Sequence, residues 1–552
     1  MTYTDPDGKL IRSARRQWMM PPGIRRVWRP GLHVIGRPGG CFLSGGGSSD
    51  PANTLKDVTT SHTVGTSGAT AKTGPPDQAD TRRLRRRSVF SPAWLLVLVF
   101  VLSLPAVTPR LYASDEIEYF AYLRSWWFDR DLSFDNEYRY FYDRGVARAF
   151  GFRATFLEQQ TETGLRLNFA TIGCGILWAP FYAAADLVVA GARAFGSNVA
   201  ADGFSRPYLA AVTYGSAVYG LLAVLLSASV ARWVVGHGTC AAVLVWLSTP
   251  LLFYMYVAPG MAHACSAFTV AAFVAVWLRV RGRWSIGGVA ALAALGALMA
   301  MVREQDVLLG IGPAVDFAAS LGKAAWERRG DTVRRLLSGA AAGVVVFGVV
   351  YLPQALAYLE LYGHIGPAPQ VSSKMIWSAP HALEVLLSPE HGLFAWTPLA
   401  VFALTGLVWL AVRPAGQGAV DAASARWIGL LALLMVAAQI YVNGSIDTWT
   451  QAGAFGQRRF VGLTVLLALG VAQVLASARA RAPQVTVAVF AGLCLWWNLG
   501  LMAQFGAGMM DRQRLQLDRN AYNTFVTVPT RFPELAYRYL FNRGSFYQQP
   551  QR

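Results

Sequence analysis

The 552-residue chain is short of charge: only 14% of its residues are Asp, Glu, Lys or Arg, against 54% hydrophobic. Soluble domains carry about a quarter charged residues, so a soluble globular class is excluded for most of this sequence. Cysteine is scarce as well, with Cys41, Cys174, Cys240, Cys265 and Cys494 scattered and none at C-x-x-C spacing. That pattern indicates neither a disulfide framework nor a zinc site. Walker, dinucleotide-binding and Cys/His metal motifs are all missing, which argues against ATP- or NAD-driven chemistry.

Long apolar runs take the place of charge. Ser88–Pro109 contains no charged residue, and roughly 20 such residues cross a bilayer core of about 30 Å as a helix. It is too long for the apolar core of a signal peptide, and no small-residue cleavage site follows it. Further runs lie near 168–190, 207–230, 239–257, 264–278, 285–302, 306–321, 336–358, 392–412, 427–442, 460–478 and 483–503. The expected class is therefore an all-α polytopic membrane protein.

The net charge is +18, and residues 1–88 supply 15 Lys/Arg against 6 Asp/Glu, half of that excess. The tail ends in "RRLRRR" (Arg82–Arg87) directly before the first span. The positive-inside rule reads this as a cytoplasmic N-terminus rather than a nucleic-acid arm. The rest of the tail is rich in Gly, Ser, Thr and Pro, which predicts disorder, and Met19 and Met20 offer alternative starts. Basic loops at Arg279–Arg283, Lys323–Arg335, Arg413–Arg426 and Arg479–Arg481 all face the cytoplasm only if 168–190 does not cross. That segment also holds Pro180 and Asp186. The reading is thus about eleven crossings, with 168–190 lying on the outer surface. Three parts follow: a tail (1–88), a transmembrane domain (89–505) whose first outer loop covers about 108–206, and a short outer appendage (506–552).

This topology gathers the unusual chemistry on one face. Residues 108–167 hold ten acids and eight arginines. Asp115, Glu116 and Glu118 follow the first span closely, and in a helix Asp115, Glu118, Tyr119 and Tyr122 share one face. Ser114 is a candidate N-cap, and acids in a first turn suit the helix dipole. Arg303, Lys374, Arg458 and Arg459 are cationic candidates on the same face. His263 lies where a helix re-enters, with His364, His381 and His391 ranking no higher. Trp126, Trp127, Tyr138, Tyr140, Tyr142 and Trp449 suit an interfacial aromatic belt.

"SDE" (Ser114–Glu116), "NFATIGCGILWAPF" (Asn168–Phe181), "SPEHGLFAWTP" (Ser388–Pro398) and "GAFGQRRF" (Gly453–Phe460) carry a resemblance. Over about 90–505 the chain resembles the GT-C membrane glycosyltransferases, in particular bacterial relatives of protein O-mannosyltransferases and of lipid A aminoarabinose transferases (glycosyltransferase family 39-like). It departs from their "YPIG…P" pattern at the Tyr-Pro. The resemblance implies an inverting transfer of sugar from a polyprenyl-phosphate donor to a glycan, lipid or protein hydroxyl at the outer face of a bacterial inner membrane. It implies Asp115 as general base, with Glu116 orienting the acceptor or joining Asp115 in holding a divalent cation, Mg or Mn. The lipid phosphate would meet Arg303, Arg458, Arg459, His263 or Lys374, with Glu118 and Tyr119 beside them; no nucleic-acid partner is implied. The competing class is a transporter or lipid flippase, for which Asp186 and Asp316 are the mid-span charges. A tag fused to the C-terminus is expected to be reached by a membrane-impermeant label on intact cells; labelling only after lysis would overturn this orientation.

Overall fold

The computed structural model describes residues 3–4, 10–11, 92–147, 151–451, 453–478 and 480–547. The chain divides into two compact units, Met1–Arg83 and Leu84–Arg552. In the first, Tyr3 pairs with Ile11 and Thr4 with Leu10 in a short antiparallel ladder; the disorder expected of the remaining tail falls outside the described residues. The second unit is helical, with isolated bridges at Gln160–Arg166 and Met375–Ile446.

Eight described helices are long and apolar enough to cross a membrane, and four shorter apolar ones accompany them, including Ala93–Ala106 and Ile286–Val302. Local chemistry sets the ends. The Arg206–Val235 helix begins with Pro207 in its first turn and stops at Gly236, whose φ of +95° is left-handed; glycine reaches that region without Cβ strain. Helices also approach closely where side chains vanish. A Cβ on Gly406 would lie 1.9 Å from the Gly470 carbonyl oxygen, and one on Gly470 would lie 1.9 Å from that of Ala403. Backbones in a bilayer gain from such contact because lipid offers no hydrophobic drive of its own.

The helices that cross share two ends with different chemistry. His263 opens the His263–Val280 helix, and Arg281 lies just past its other end. Arg303 follows Ile286–Val302, and the chain then descends to Lys323 and the 327–335 arginines. Arg458 opens the segment that ends at Ser477. At the far end the connecting loops meet: Ala419 N–H donates to the Trp233 carbonyl at 2.8 Å, and Gln473 Nε2 donates to the Arg413 carbonyl at 3.3 Å.

The segment expected on the surface forms one helix, Gly173–Ala194. Its beginning meets the end of Ile286–Val302, with Thr171 Oγ1 donating to the Val302 carbonyl at 3.1 Å. Trp178 then bonds Ser216 (2.8 Å) and Asp186 accepts from Tyr208 (2.5 Å), so the helix runs antiparallel to the first part of Arg206–Val235. By length and composition it is itself one of the eight candidate spans, although it holds Pro180 and Asp186.

The aromatic residues of the 108–206 segment make a core rather than a belt. Phe120, Phe134, Tyr138, Phe141, Tyr182 and Tyr208 are all buried there. Tyr140 stacks on Phe204 with ring centroids 4.1 Å apart. Arg124 sits inside this core between Asp129 and Glu137 (3.0 Å) and over the Phe204 ring at 4.3 Å. The belt reading keeps Trp126, which is 55% exposed. The two apolar-run carboxylates are also structurally engaged: Asp316 takes Arg281 (3.0 Å), Trp277 (3.0 Å) and Trp427 (2.8 Å), and Asp186 takes Tyr208 and Trp127.

Gly470→Val is expected to destabilise the fold by about 1–3 kcal/mol or more through backbone overpacking, read as a lowered melting temperature in detergent. A melting temperature equal to that of wild type would contradict the close crossing.

Candidate functional site

Asp115 stands in the first turn of the Ser114–Arg124 helix. What starts that helix is not Ser114, which lies inside it, but Glu116. Glu116 Oε2 accepts from the Tyr112 amide (2.9 Å) and the Ala113 amide (3.1 Å), two of the donors that a helix start leaves unpaired. Its carboxylate is fully buried, and a Cβ on the facing Gly260 would come within 3.1 Å of Oε1. Burial pushes the Glu116 carboxyl up to about 7, partly offset by the two amides. Glu116, expected beside Asp115 in catalysis, is thus committed to the backbone turn that aims Asp115.

Glu118 departs from expectation in the same way. It is buried, and its Oε2 accepts from the Phe169 amide at 2.7 Å while its carbonyl accepts from Asn168 Nδ2 at 3.0 Å. Burial, then the neighbouring Asp115 charge, raises its carboxyl well above the usual range. It pins the 168–170 strand of chain to the Asp115 helix. Lys374 is exposed; its carbonyl accepts from the Asp447 amide (2.8 Å), and its side chain forms no hydrogen bond or ion pair among the described residues. It stands close enough to Glu118 for their charges to interact, but it does not join the arginines.

The arginines do converge. Arg458 Nη1 lies 3.0 Å from Asp115 Oδ2, in a pair whose carboxylate side chain is 43% exposed. Arg303 is buried, with Nη1 2.6 Å from His263 Nδ1, and the Tyr254 ring packs 4.3 Å from the imidazole. Since arginine only donates, His263 Nδ1 is the acceptor and the imidazole is neutral with its proton on Nε2. Arg459 donates from Nη2 to Thr448 Oγ1 at 3.2 Å, while its Nη1 is buried without a hydrogen-bond partner among the described residues. Arg303, Arg458 and Arg459 all bear electrostatically on His263. Tyr119 is half-buried beside them: burial raises its phenol, and the Arg303 and Arg458 charges offset part of that. Asp306, at the start of the next span, bonds Ser266 at 2.6 Å.

Two segments that carried the resemblance hold Arg458 and Arg459 in place. His391, with φ of +65°, stacks on Trp396 (4.7 Å) and bonds the Ala454 carbonyl through Nε2 at 2.8 Å. Phe455 packs edge-on to the same Trp396 at 5.8 Å, and Tyr254 O–H donates to the Phe455 carbonyl at 3.1 Å. Sequence reading passed over Tyr254 and the docking role of His391, because both act through contacts with residues over 60 positions away.

The chemistry of this set is anion binding beside a partly open carboxylate. Arg458 pairs with Asp115, Arg303 also acts on Asp306 and Arg459 on Asp447, and Arg459 Nη1 keeps an N–H without a hydrogen-bond partner among the described residues. Of the pair implied above to hold a divalent cation, Glu116 Oε2 serves two amides and Asp115 faces Arg458, while Glu116 Oε1 is buried without a hydrogen-bond partner among the described residues. Among the described residues no group of three or more His, Cys, Asp or Glu side chains is placed to hold a metal.

No family model matches the chain, and neither does any curated protein. Among solved structures it is similar to the crystal structure of ArnT from Cupriavidus metallidurans in the apo state. The TM-score is 0.42 at 15% identity, covering 82% of this chain and 75% of that one. The functional reading below stands on the site's own geometry.

Because the folded Glu116 carboxyl titrates near 7 and an unfolded one near 4.3, the folded state holds the extra proton between those values. Its contribution is full below the unfolded value and is lost as pH rises through about 7. The melting temperature is expected to fall from pH 5 to pH 8, and Glu116→Gln is expected to flatten part of that fall. An identical pH profile in the variant would contradict the burial described.

Proposed function

We propose that the protein is a membrane glycosyltransferase that takes a sugar from a polyprenyl-phosphate donor and passes it to an acceptor hydroxyl. The reaction would run at the outer face of a bacterial inner membrane. The observation that carries this is the Arg458–Asp115 pair, with Arg303, Arg458 and Arg459 all close enough to bear on His263 and Arg459 Nη1 buried without a hydrogen-bond partner among the described residues. A carboxylate beside clustered guanidinium groups is the pairing that transfer from a lipid phosphate needs. The outer-face assignment follows from the basic loops at the opposite end of the bundle.

In this reading Asp115 accepts the proton of the acceptor hydroxyl. The hydroxyl oxygen bonds to the anomeric carbon from the side opposite the leaving group, the carbon–oxygen bond to phosphate breaks, and the lipid phosphate leaves with that electron pair. Configuration inverts. The phosphate changes from a singly charged diester towards a doubly charged monoester, so fixed positive charge helps the transition state more than the ground state. Arg458 has a further part: when it turns to the donor phosphate, its hold on Asp115 weakens and the carboxylate is released to act as base. His263, neutral and bonded by Arg303, keeps that arginine oriented.

The transporter or flippase reading draws no support from Asp186 and Asp316, whose oxygens are engaged by Tyr208, Trp127, Arg281, Trp277 and Trp427. Purified protein incubated with a panel of polyprenyl-phosphate sugars is expected to transfer or hydrolyse one of them. Asp115→Asn is expected to lower turnover by about 10²–10⁴-fold with donor KM near that of wild type. Arg459→Gln is expected to lower kcat/KM for the donor about tenfold or more. Turnover by Asp115→Asn near the wild-type rate would overturn the assignment of the base.

A further inference from the structure

A groove of about 960 Å³ opens beside the site, between the end of the first span, the Leu251–Tyr256 helix, the end of Arg481–Ala507 and the C-terminal Val528–Phe541 helix. That volume is at the upper end of the roughly 300–1,000 Å³ of ligand pockets. Val99, Trp246, Met502, Val528 and Leu535 give it apolar walls. Three arginines also line it: Arg110, Arg144 and Arg512.

These arginines are separate from the three at Asp115, and none pairs with a carboxylate among the described residues. Arg110 is exposed. Arg144 lies 3.7 Å over the Tyr140 ring. Arg512 lies 4.6 Å over the Phe505 ring and gives one N–H to the Phe505 carbonyl at 3.3 Å. Arg110 follows the end of the first span at Ala106, and Arg512 follows the end of Arg481–Ala507, whereas Val99, Trp246 and Met502 lie along spans. The cations therefore sit at the rim and the apolar wall runs into the membrane layer.

The C-terminal segment, expected as a simple appendage, is a fixed wall of this groove. Tyr539 O–H donates to the Ala106 carbonyl at 2.9 Å, and Arg543 Nη1 donates to the Val107 carbonyl at 2.7 Å. Both carbonyls belong to the stretch that leads to Asp115.

We propose that this groove binds an anionic diacyl lipid of the bilayer, its phosphate on Arg110, Arg144 and Arg512 and its acyl chains along the apolar wall. Charge complementarity selects this occupant. Acyl chains leave one apolar medium for another and gain little, so the unpaired guanidinium groups supply the discrimination. The headgroup then lies at Arg110 and Tyr112, on the approach to the Asp115 helix. The inference goes beyond the transferase reading and does not depend on it.

The test uses the full chain in mild detergent with dioleoyl phosphatidylglycerol or dioleoyl phosphatidylcholine, and reads retained lipid by native mass spectrometry. Phosphatidylglycerol is expected to be retained about tenfold better. The triple variant Arg110→Gln, Arg144→Gln, Arg512→Gln is expected to lose that preference, and the same three changed to Lys are expected to keep it. Ala536→Trp, which fills the groove, is expected to lower retention of both lipids. Arg303→Gln and Asp115→Asn are expected to leave the preference intact, the latter while losing transfer. Equal retention of the two lipids by wild type, an unchanged preference in the Gln triple variant, or a lost preference in Arg303→Gln or the Lys triple variant would overturn the proposal.

Discussion

A charge at the boundary of a membrane is costly unless something answers it, and this constraint organises the structure. At one end of the bundle water answers most of the loop arginines, and Asp316 answers Arg281. At the other end arginines are drawn inward onto Asp115, His263 and Thr448. There one guanidinium nitrogen, Nη1 of Arg459, is buried without a hydrogen-bond partner among the described residues. An arrangement that leaves buried cationic capacity unmet is expensive to keep unless an anion uses it.

The acids beside Asp115 show the same constraint met in another way. Glu116 and Glu118 have lost water, but each is held by backbone amides: Tyr112 and Ala113 for one, Phe169 for the other. These bonds fix the turn before the Ser114–Arg124 helix and tie the 168–170 chain to it. Asp115 alone of the three keeps an exposed carboxylate. Three acids within four residues therefore do different work, separated by the direction each side chain takes from the helix.

That division was only half legible in the sequence. Apolar runs gave the helices, since these depend on composition and length. The gathering of Asp115, His263, Arg303, Arg458 and Arg459 at one end followed from counting crossings. The roles of Glu116 and Glu118 did not, because their partners are main-chain amides, which every residue but proline has. Nor did the aromatic core of the 108–206 segment, because belt and core use the same side chains and differ only in whether a third layer covers them. Lys374 is the reverse case: a charge on the right face that the loop directs to solvent.

The contrast between carriers and transferases sharpens with these contacts. A carrier needs charged groups that exchange partners along a path through the membrane. Here Asp316 is shared by an arginine and two indoles near the basic end, and Asp186 is fixed by a phenol and an indole outside the bundle. Neither can change partner without leaving its buried neighbours unsatisfied. Arg459 Nη1 and Glu116 Oε1, both buried without a hydrogen-bond partner among the described residues, lie near Asp115, beside a groove whose walls are apolar and whose rim is cationic. That distribution suits a reaction at one membrane face.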